Sequence, residues 1–233
     1  MIEIKELTKN YGSLKAVDRA NLVAYDGQIT ILLGPNGAGK STTIKSVAGL
    51  LKFSGDIYVN GFHNKSIEAK SSFGYVPEIP SHYDLLTVDE HLNFIEKAYQ
   101  LENSAPRREE LLERFEMIEH RSKLAKELSK GMSQKLSLIC ALLISPKAIL
   151  VDEPLIGLDP HSIEQVLQIL IELKQQGCSI LLSTHIIDMI DGIWDVAYIM
   201  HKGHIRRQID KKDLTDGQTL KQIFFEVTEN EQH

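Results

Sequence analysis

The spacing of apolar residues changes along this chain. Near the start Ile2 and Ile4 alternate with Glu3 and Lys5, the two-residue period of a half-buried strand. Ala16 to Leu22 and Asp56 to Val59, the latter running into the turn Asn60-Gly61, predict two more strands of this kind. Ile29-Thr30-Ile31-Leu32-Leu33, Ala148-Ile149-Leu150-Val151 and Ile180-Leu181-Leu182 are instead nearly continuous apolar runs. Strands of that composition are buried on both faces, as in a parallel sheet covered by helices. Alternating edges around a solid centre predict an α/β core with a mainly parallel sheet and an antiparallel β flank.

The middle of the chain follows a helical rhythm. Thr87-Val88-Asp89-Glu90 has the spacing of a capping box, and Leu92, Ile95 and Tyr99 recur at helical intervals behind it. After the break Asn103-Ser104-Ala105-Pro106, the residues Leu111, Leu112, Phe115 and Ile118 predict a second helix, and Leu136, Ile139, Cys140 and Leu143 a third. Residues 87–145 are therefore expected to form a helical subdomain inserted in a core made of 1–86 and 146–233, all within one domain. No internal repeat is present, and Glu229 to His233 are expected to be disordered.

Composition narrows the picture. A chain of 233 residues with 42% apolar residues can bury a full core. A formal net charge of −6 gives no broad footprint for nucleic acid, and no nucleic-acid partner is expected. Cys140 and Cys178 lie in apolar surroundings without metal-type spacing and read as reduced core residues. The amino terminus carries charges where a secretory signal needs an apolar stretch. No apolar run approaches the roughly 18–20 residues of a membrane helix. The expectation is a soluble protein that a partner would have to hold at any membrane.

Gly34-Pro35-Asn36-Gly37-Ala38-Gly39-Lys40-Ser41 fits G-x-x-x-x-G-K-[ST] between a buried strand and a helical segment, with Thr42 following. Glycines let backbone N–H groups converge on phosphate oxygens, and the helix start adds a favourable dipole. In this motif Lys40 neutralises β- and γ-phosphate charge and Ser41 is a ligand for Mg²⁺. Asp152 and Glu153 end a buried strand, where open α/β sheets bind ligands. Asp152 would hold Mg²⁺ and Glu153 would polarise an attacking water. Together these motifs indicate a P-loop nucleoside triphosphatase.

Three further motifs stand in a telling order. Leu128-Ser129-Lys130-Gly131-Met132 precedes the Asp-Glu strand, Gly157-Leu158-Asp159 follows it, and His185 ends the strand Leu182-Ser183-Thr184. Over nearly its whole length the chain resembles the ATP-binding subunits of ABC (ATP-binding cassette) transporters. The resemblance implies that two subunits face each other head to tail, Ser129 and Gly131 of each touching the γ-phosphate held by the other. It makes His185 the switch histidine and Tyr11 the aromatic residue that stacks on adenine. Val17 could line the ribose or sit in the core. Two departures accompany it. Glu78 stands where the family commonly has a glutamine that ligates Mg²⁺. Lys130 and Met132 replace a glycine and a glutamine of the signature.

The resemblance implies an Mg-dependent ATPase, peripheral on the cytoplasmic face of the cell membrane, that powers a separate transmembrane permease subunit and pairs with a second ATPase subunit. The signature and the ending Ile223-Phe224-Phe225-Glu226-Val227-Thr228 look similar to exporter and antibiotic-efflux subunits. One alternative is a soluble single-cassette ATPase serving a macromolecular assembly such as an iron–sulfur cluster scaffold. A plain P-loop kinase gives no reason for the signature or His185.

Overall fold

The computed structural model describes residues 1–215 and 217–229. The chain first makes an antiparallel pair, β1 (Ile2–Tyr11) and β2 (Leu14–Ala24), and then β3 (Ile29–Leu33), which feeds α1 (Lys40–Val47). β4 (Ser54–Val59) returns to pair with β1, and the two-residue β5 (Phe62–His63) pairs with β4. A short α2 (Ile67–Lys70) leads to β6 (Phe73–Val76). Three helices follow: α3 (Val88–Ala98), α4 (Ala105–Arg114) and α5 (Lys130–Leu143). The remainder is β7 (Ala148–Asp152), α6 (Pro160–Gln175), β8 (Ser179–Thr184), the hairpin β9 (Val196–His201) and β10 (His204–Asp210), and α7 (Leu220–Glu229).

Two sheets result. The flank has the order β2-β1-β4-β5, and the main sheet β10-β9-β3-β8-β7-β6. In the main sheet β3 lies parallel to β8 and β9, and β7 parallel to β8 and β6. Only β10 runs antiparallel. The fold is the α/β fold of P-loop nucleoside triphosphatases. The continuous apolar runs are explained by their two destinations. Ile29, Ile31, Leu33, Ile149, Val151, Ile180 and Leu182 join the cluster beneath α3 to α6. Their neighbours Leu32, Leu150 and Leu181 point the other way, into the cluster shared with α1 and the flank. The two-residue period persists; both faces are simply apolar.

Local chemistry sets the helix starts. Thr87 and Glu90 form the complete capping box of α3. Asp159 caps α6 by accepting from Ser162 N at 3.0 Å, with Pro160 in the first turn. The Ser162 hydroxyl, also on Asp159, helps hold that carboxyl down at about 2. α4 ends earlier than its apolar spacing suggests: Phe115 is its C-cap and Ile118 lies in a separate 3-10 turn. α5 lies directly on β6, because a Cβ at Gly74 would fall 2.5 Å from the Ala141 carbonyl oxygen. Its first half also reaches the segment after β6, where Gln134 Nε2 donates to the Pro77 carbonyl at 3.5 Å.

Both cysteines are free thiols, and burial pushes each up to about 12. Val17 is fully buried in the flank cluster, a core residue. Among the described residues no helix is long and apolar enough to cross a membrane. The tail expected to be disordered lies outside the described residues except for Glu229, which closes α7.

Candidate functional site

The loop after β3 can close only because it contains glycine. A Cβ on Gly34 would lie 2.3 Å from the Met200 carbonyl oxygen of β9. Gly39, the N-cap of α1, has φ 110, and a Cβ there would lie 2.5 Å from the Ala16 carbonyl oxygen. No side chain fits at either position. The loop wraps around Lys40, whose Nζ donates to the carbonyls of Gly34 at 2.8 Å and Pro35 at 3.3 Å. Ala38 N–H closes an inner turn on Pro35 O at 3.1 Å. Lys40 is thereby buried at the first position of α1 with its ammonium aimed back into the loop.

The ends of β7 and β8 bring the acids to the same place. Lys40 Nζ lies 3.2 Å from Glu153 Oε1, and both side chains are only 5% exposed. His185 Nδ1 lies 2.9 Å from the same oxygen, so Glu153 sits between a lysine and a histidine. The Glu153 backbone has φ 48, a left-handed conformation uncommon outside glycine. It is pinned there by its N–H, which donates to the Ser183 carbonyl at 3.1 Å. Asp152 accepts from Ser41 Oγ at 3.0 Å and Ser183 Oγ at 2.5 Å on one oxygen. Burial raises the Asp152 carboxyl, a shift only partly offset by the two hydroxyls.

A cavity of about 840 Å³ opens over these groups. It is lined by Asn36, Gly37, Lys40, Ser41 and Thr42 of the loop and helix, by Glu78, Glu153 and His185, and by Tyr11 of β1. Tyr11 stands at the rim, half-exposed, with Lys9 Nζ 4.7 Å from its ring centroid. Glu78 follows β6 and adds a third acid; burial, helped by Asp152 and then Glu78, pushes the Tyr75 phenol up to about 12.

A divalent cation fits this donor set. Asp152 Oδ2 and Glu153 Oε2 are buried oxygens with no hydrogen-bond partner. Buried acceptors of that kind need a donor or a cation. With the Ser41 hydroxyl and Glu78 in the same cavity, Asp152 Oδ2 is a hard oxygen donor suited to Mg²⁺, and Glu153 Oε2 can accept from a water. Among the described residues no group of three or more His, Cys, Asp or Glu side chains could hold a metal ion. The cation would therefore need further oxygens from a bound phosphate.

Ser129 and Gly131 stand apart. Ser129 caps α5 by accepting from Met132 N at 3.3 Å, and neither residue lines the cavity. A Cβ on Gly131 would come no nearer than 3.9 Å to any neighbour, the closest being Leu158 and then Gly157. The signature and the loop before Asp159 are thus adjacent, with Lys130 lying across Gly157. Sequence reasoning missed Ser183, Ile156, Leu14 to Ala16 and the turn Lys202-Gly203, which also border the site. Ser183 was signalled only by a hydroxyl at the polar end of a strand whose middle, Ile180 to Leu182, is apolar. The turn carried only a weak signal in Gly203, since Lys-Gly is not among the Asn-Gly, Asp-Gly and Gly-Gly pairs that favour two-residue hairpins.

The comparisons with known proteins identify the family. The ABC transporter family pattern matches residues 17–156. The ABC-type transporter ATP-binding protein EcsA of Bacillus subtilis is 34% identical, across 99% of this chain and 98% of its own. The lipopolysaccharide export system ATP-binding protein LptB of Haemophilus influenzae is 31% identical, across 97% of each. A solved ATP-binding subunit of an ABC transporter superposes with a TM-score of 0.91 at 34% identity, over 97% of this chain and 99% of that one. From its glycine loop to the histidine behind β8, the chain belongs to the ABC transporter family as one of its ATP-binding subunits.

Proposed function

We propose that this chain binds ATP with Mg²⁺ in the cavity, hydrolyses it as half of a pair of cassettes, and so powers a separate membrane permease, as an exporter. The observation that carries the reading is the convergence of Lys40, Glu153 and His185 beside Ser41 and Asp152 at a cavity that Tyr11 also lines. In this reading adenine stacks on Tyr11, and loop N–H groups and Lys40 take the phosphates. Ser41, Asp152 and Glu78 would hold Mg²⁺, which supplies charge neutralisation at the β- and γ-phosphates. Glu153 accepts the proton of the attacking water, and His185, donating through Nδ1–H, holds that carboxylate in position. LptB, by its name part of an export system, supports the outward direction.

The position of Ser129 and Gly131 outside the cavity supports a site shared between two copies. A Cβ on Gly131 would meet nothing nearer than Leu158 at 3.9 Å, so this helix start is not crowded, and it would suit a phosphate brought by another subunit. Lys40→Ala and Ser129→Arg are each expected to be nearly inactive as homodimers. Mixing them forms heterodimers in which one composite site carries both lesions and the other neither, so ATPase activity should partly return. Activity of the mixture no higher than the sum of its parents would count against sharing.

The permease contact is assigned to residues 78–94, between the core and the segment 87–145 that we take as the helical subdomain. Ile79, Tyr83 and Leu85 are 77%, 62% and 72% exposed, and Phe94 is half-exposed. Tyr83 and Phe94 meet edge to face at 5.9 Å, which makes one apolar surface of them. Such a cluster on a polar rim marks a protein contact. Because Leu85 is exposed, Leu85→Asp is expected to leave folding and ATP hydrolysis of the isolated subunit intact. Co-sedimentation with membranes and transport should be lost. A variant that keeps both, or one that unfolds, would overturn the assignment.

A further inference from the structure

We propose that Lys202 is a nucleotide-binding residue that contacts the α-phosphate, adding the same contact to ATP and to ADP. The inference rests on the cavity being the ATP site. Lys202 lines that cavity beside Lys15, Ala16 and Gly203. It forms the tip of the β9–β10 hairpin with Gly203, at φ 47 and 81, between the paired His201 and His204. The turn is fixed in space by two backbone hydrogen bonds. Gly203 N–H donates to the Ala38 carbonyl of the phosphate loop at 2.9 Å, and Asp18 N–H donates to the Gly203 carbonyl at 2.8 Å.

The Ala16 carbonyl locates this turn along the bound nucleotide. It lies 2.5 Å from where a Cβ of Gly39 would stand and 3.1 Å from that of Gly203. The β1–β2 side of the cavity, the phosphate loop and the hairpin tip therefore meet at one junction. Tyr11, the last residue of β1, lines the same cavity as this junction, and so do Lys40, Ser41, Glu153 and His185. A nucleotide with its base on Tyr11 and its β- and γ-phosphates at Lys40 passes its α-phosphate over the junction.

Charge accounting points to the same residue. Lys40 is already paired with Glu153, and Lys15 with Asp18 at 3.1 Å. The Lys202 ammonium is the cation of this cavity that has no carboxylate or carbonyl partner among the described residues. A lysine held beside an anion path is a compact point charge suited to phosphate. Since ATP and ADP both carry an α-phosphate, the contact is uniform binding. It tightens substrate and product alike and leaves the chemical step alone.

Lys202→Asn provides the test, because asparagine adopts a left-handed backbone readily. Calorimetric titration with MgADP and MgATP should give affinities weakened by the same factor, about 3–15-fold for one partly exposed charge-assisted contact. The salt dependence of ADP binding should become shallower, and Lys202→Arg should restore both. Tyr11→Ala, as reference, should weaken binding without altering the salt dependence. The proposal is overturned by an unchanged ADP affinity, by a loss confined to ATP, or by a lower melting temperature of the nucleotide-free variant that accounts for the loss. Wild-type protein that binds neither nucleotide would instead overturn the ATP reading itself.

Discussion

Glu153→Gln is expected to keep ATP bound while lowering its turnover by about 10²–10⁴-fold, the range for loss of a general base. The substitution is clean for structural reasons. Glutamine keeps the side-chain length, its carbonyl oxygen still accepts from His185 Nδ1–H, and the left-handed backbone at φ 48 is equally demanding for either residue. What disappears is the proton acceptor and the negative charge next to Lys40. With that charge gone, Lys40 no longer has to leave a carboxylate to meet a phosphate, so nucleotide should bind at least as tightly as before. Phosphate release and nucleotide binding, measured on the same preparation, separate the two effects. A variant that hydrolyses ATP at nearly the normal rate would remove Glu153 from the role of base.

Lys40→Ala should act at the opposite step. Loss of a charge-assisted contact to the phosphates is expected to weaken ATP binding by about 10–150-fold. The nucleotide-free protein should change as well. Lys40 is buried between Glu153 and two loop carbonyls, and removing one partner of a buried pair costs up to about 3–5 kcal/mol. The open cavity and His185 relieve part of that cost. The melting temperature should therefore fall without nucleotide and respond little to added ATP. In Lys40→Ala/Glu153→Gln the unpaired acid is gone, so the melting temperature should recover part-way while ATP binding does not. Equal losses in the single and double variants would mean that the ion pair contributes nothing to stability.

Much of this site was legible because its chemistry is local in sequence. The phosphate loop needs glycines at fixed offsets, Asp152 and Glu153 adjoin a strand of unmistakable composition, and Asp159-Pro160 announces a helix start. Strands β3, β7 and β8 were legible because both of their faces are apolar. β6 was not, being four residues long with a glycine whose purpose, the close approach of α5, lies across the sheet. β9 is as apolar as β3, but a short apolar run with no periodicity does not distinguish strand from helix. With β9 and β10 unread, the turn Lys202-Gly203 between them had no place in the site. Glu153 was legible as an acid, and its link to His185 only through the resemblance; its pairing with Lys40 was not legible, since that depends on separate segments converging.

The bare glycine of β6 has a mechanical meaning. α5 is a 14-residue rod, about 20 Å long at 1.5 Å per residue. Ser129 caps one end, and the other end rests on Gly74 with no side chain to act as a cushion. Along the way the rod also touches Pro77, next to Glu78. α5 thus meets β6 backbone to backbone at Gly74 and reaches the segment before Glu78 through the Gln134 side chain. In the proposed pair, each subunit would sense its partner's nucleotide at one end of this strut and hold its own near the other. Any side chain at position 74 would act as a spacer and loosen the linkage between the two.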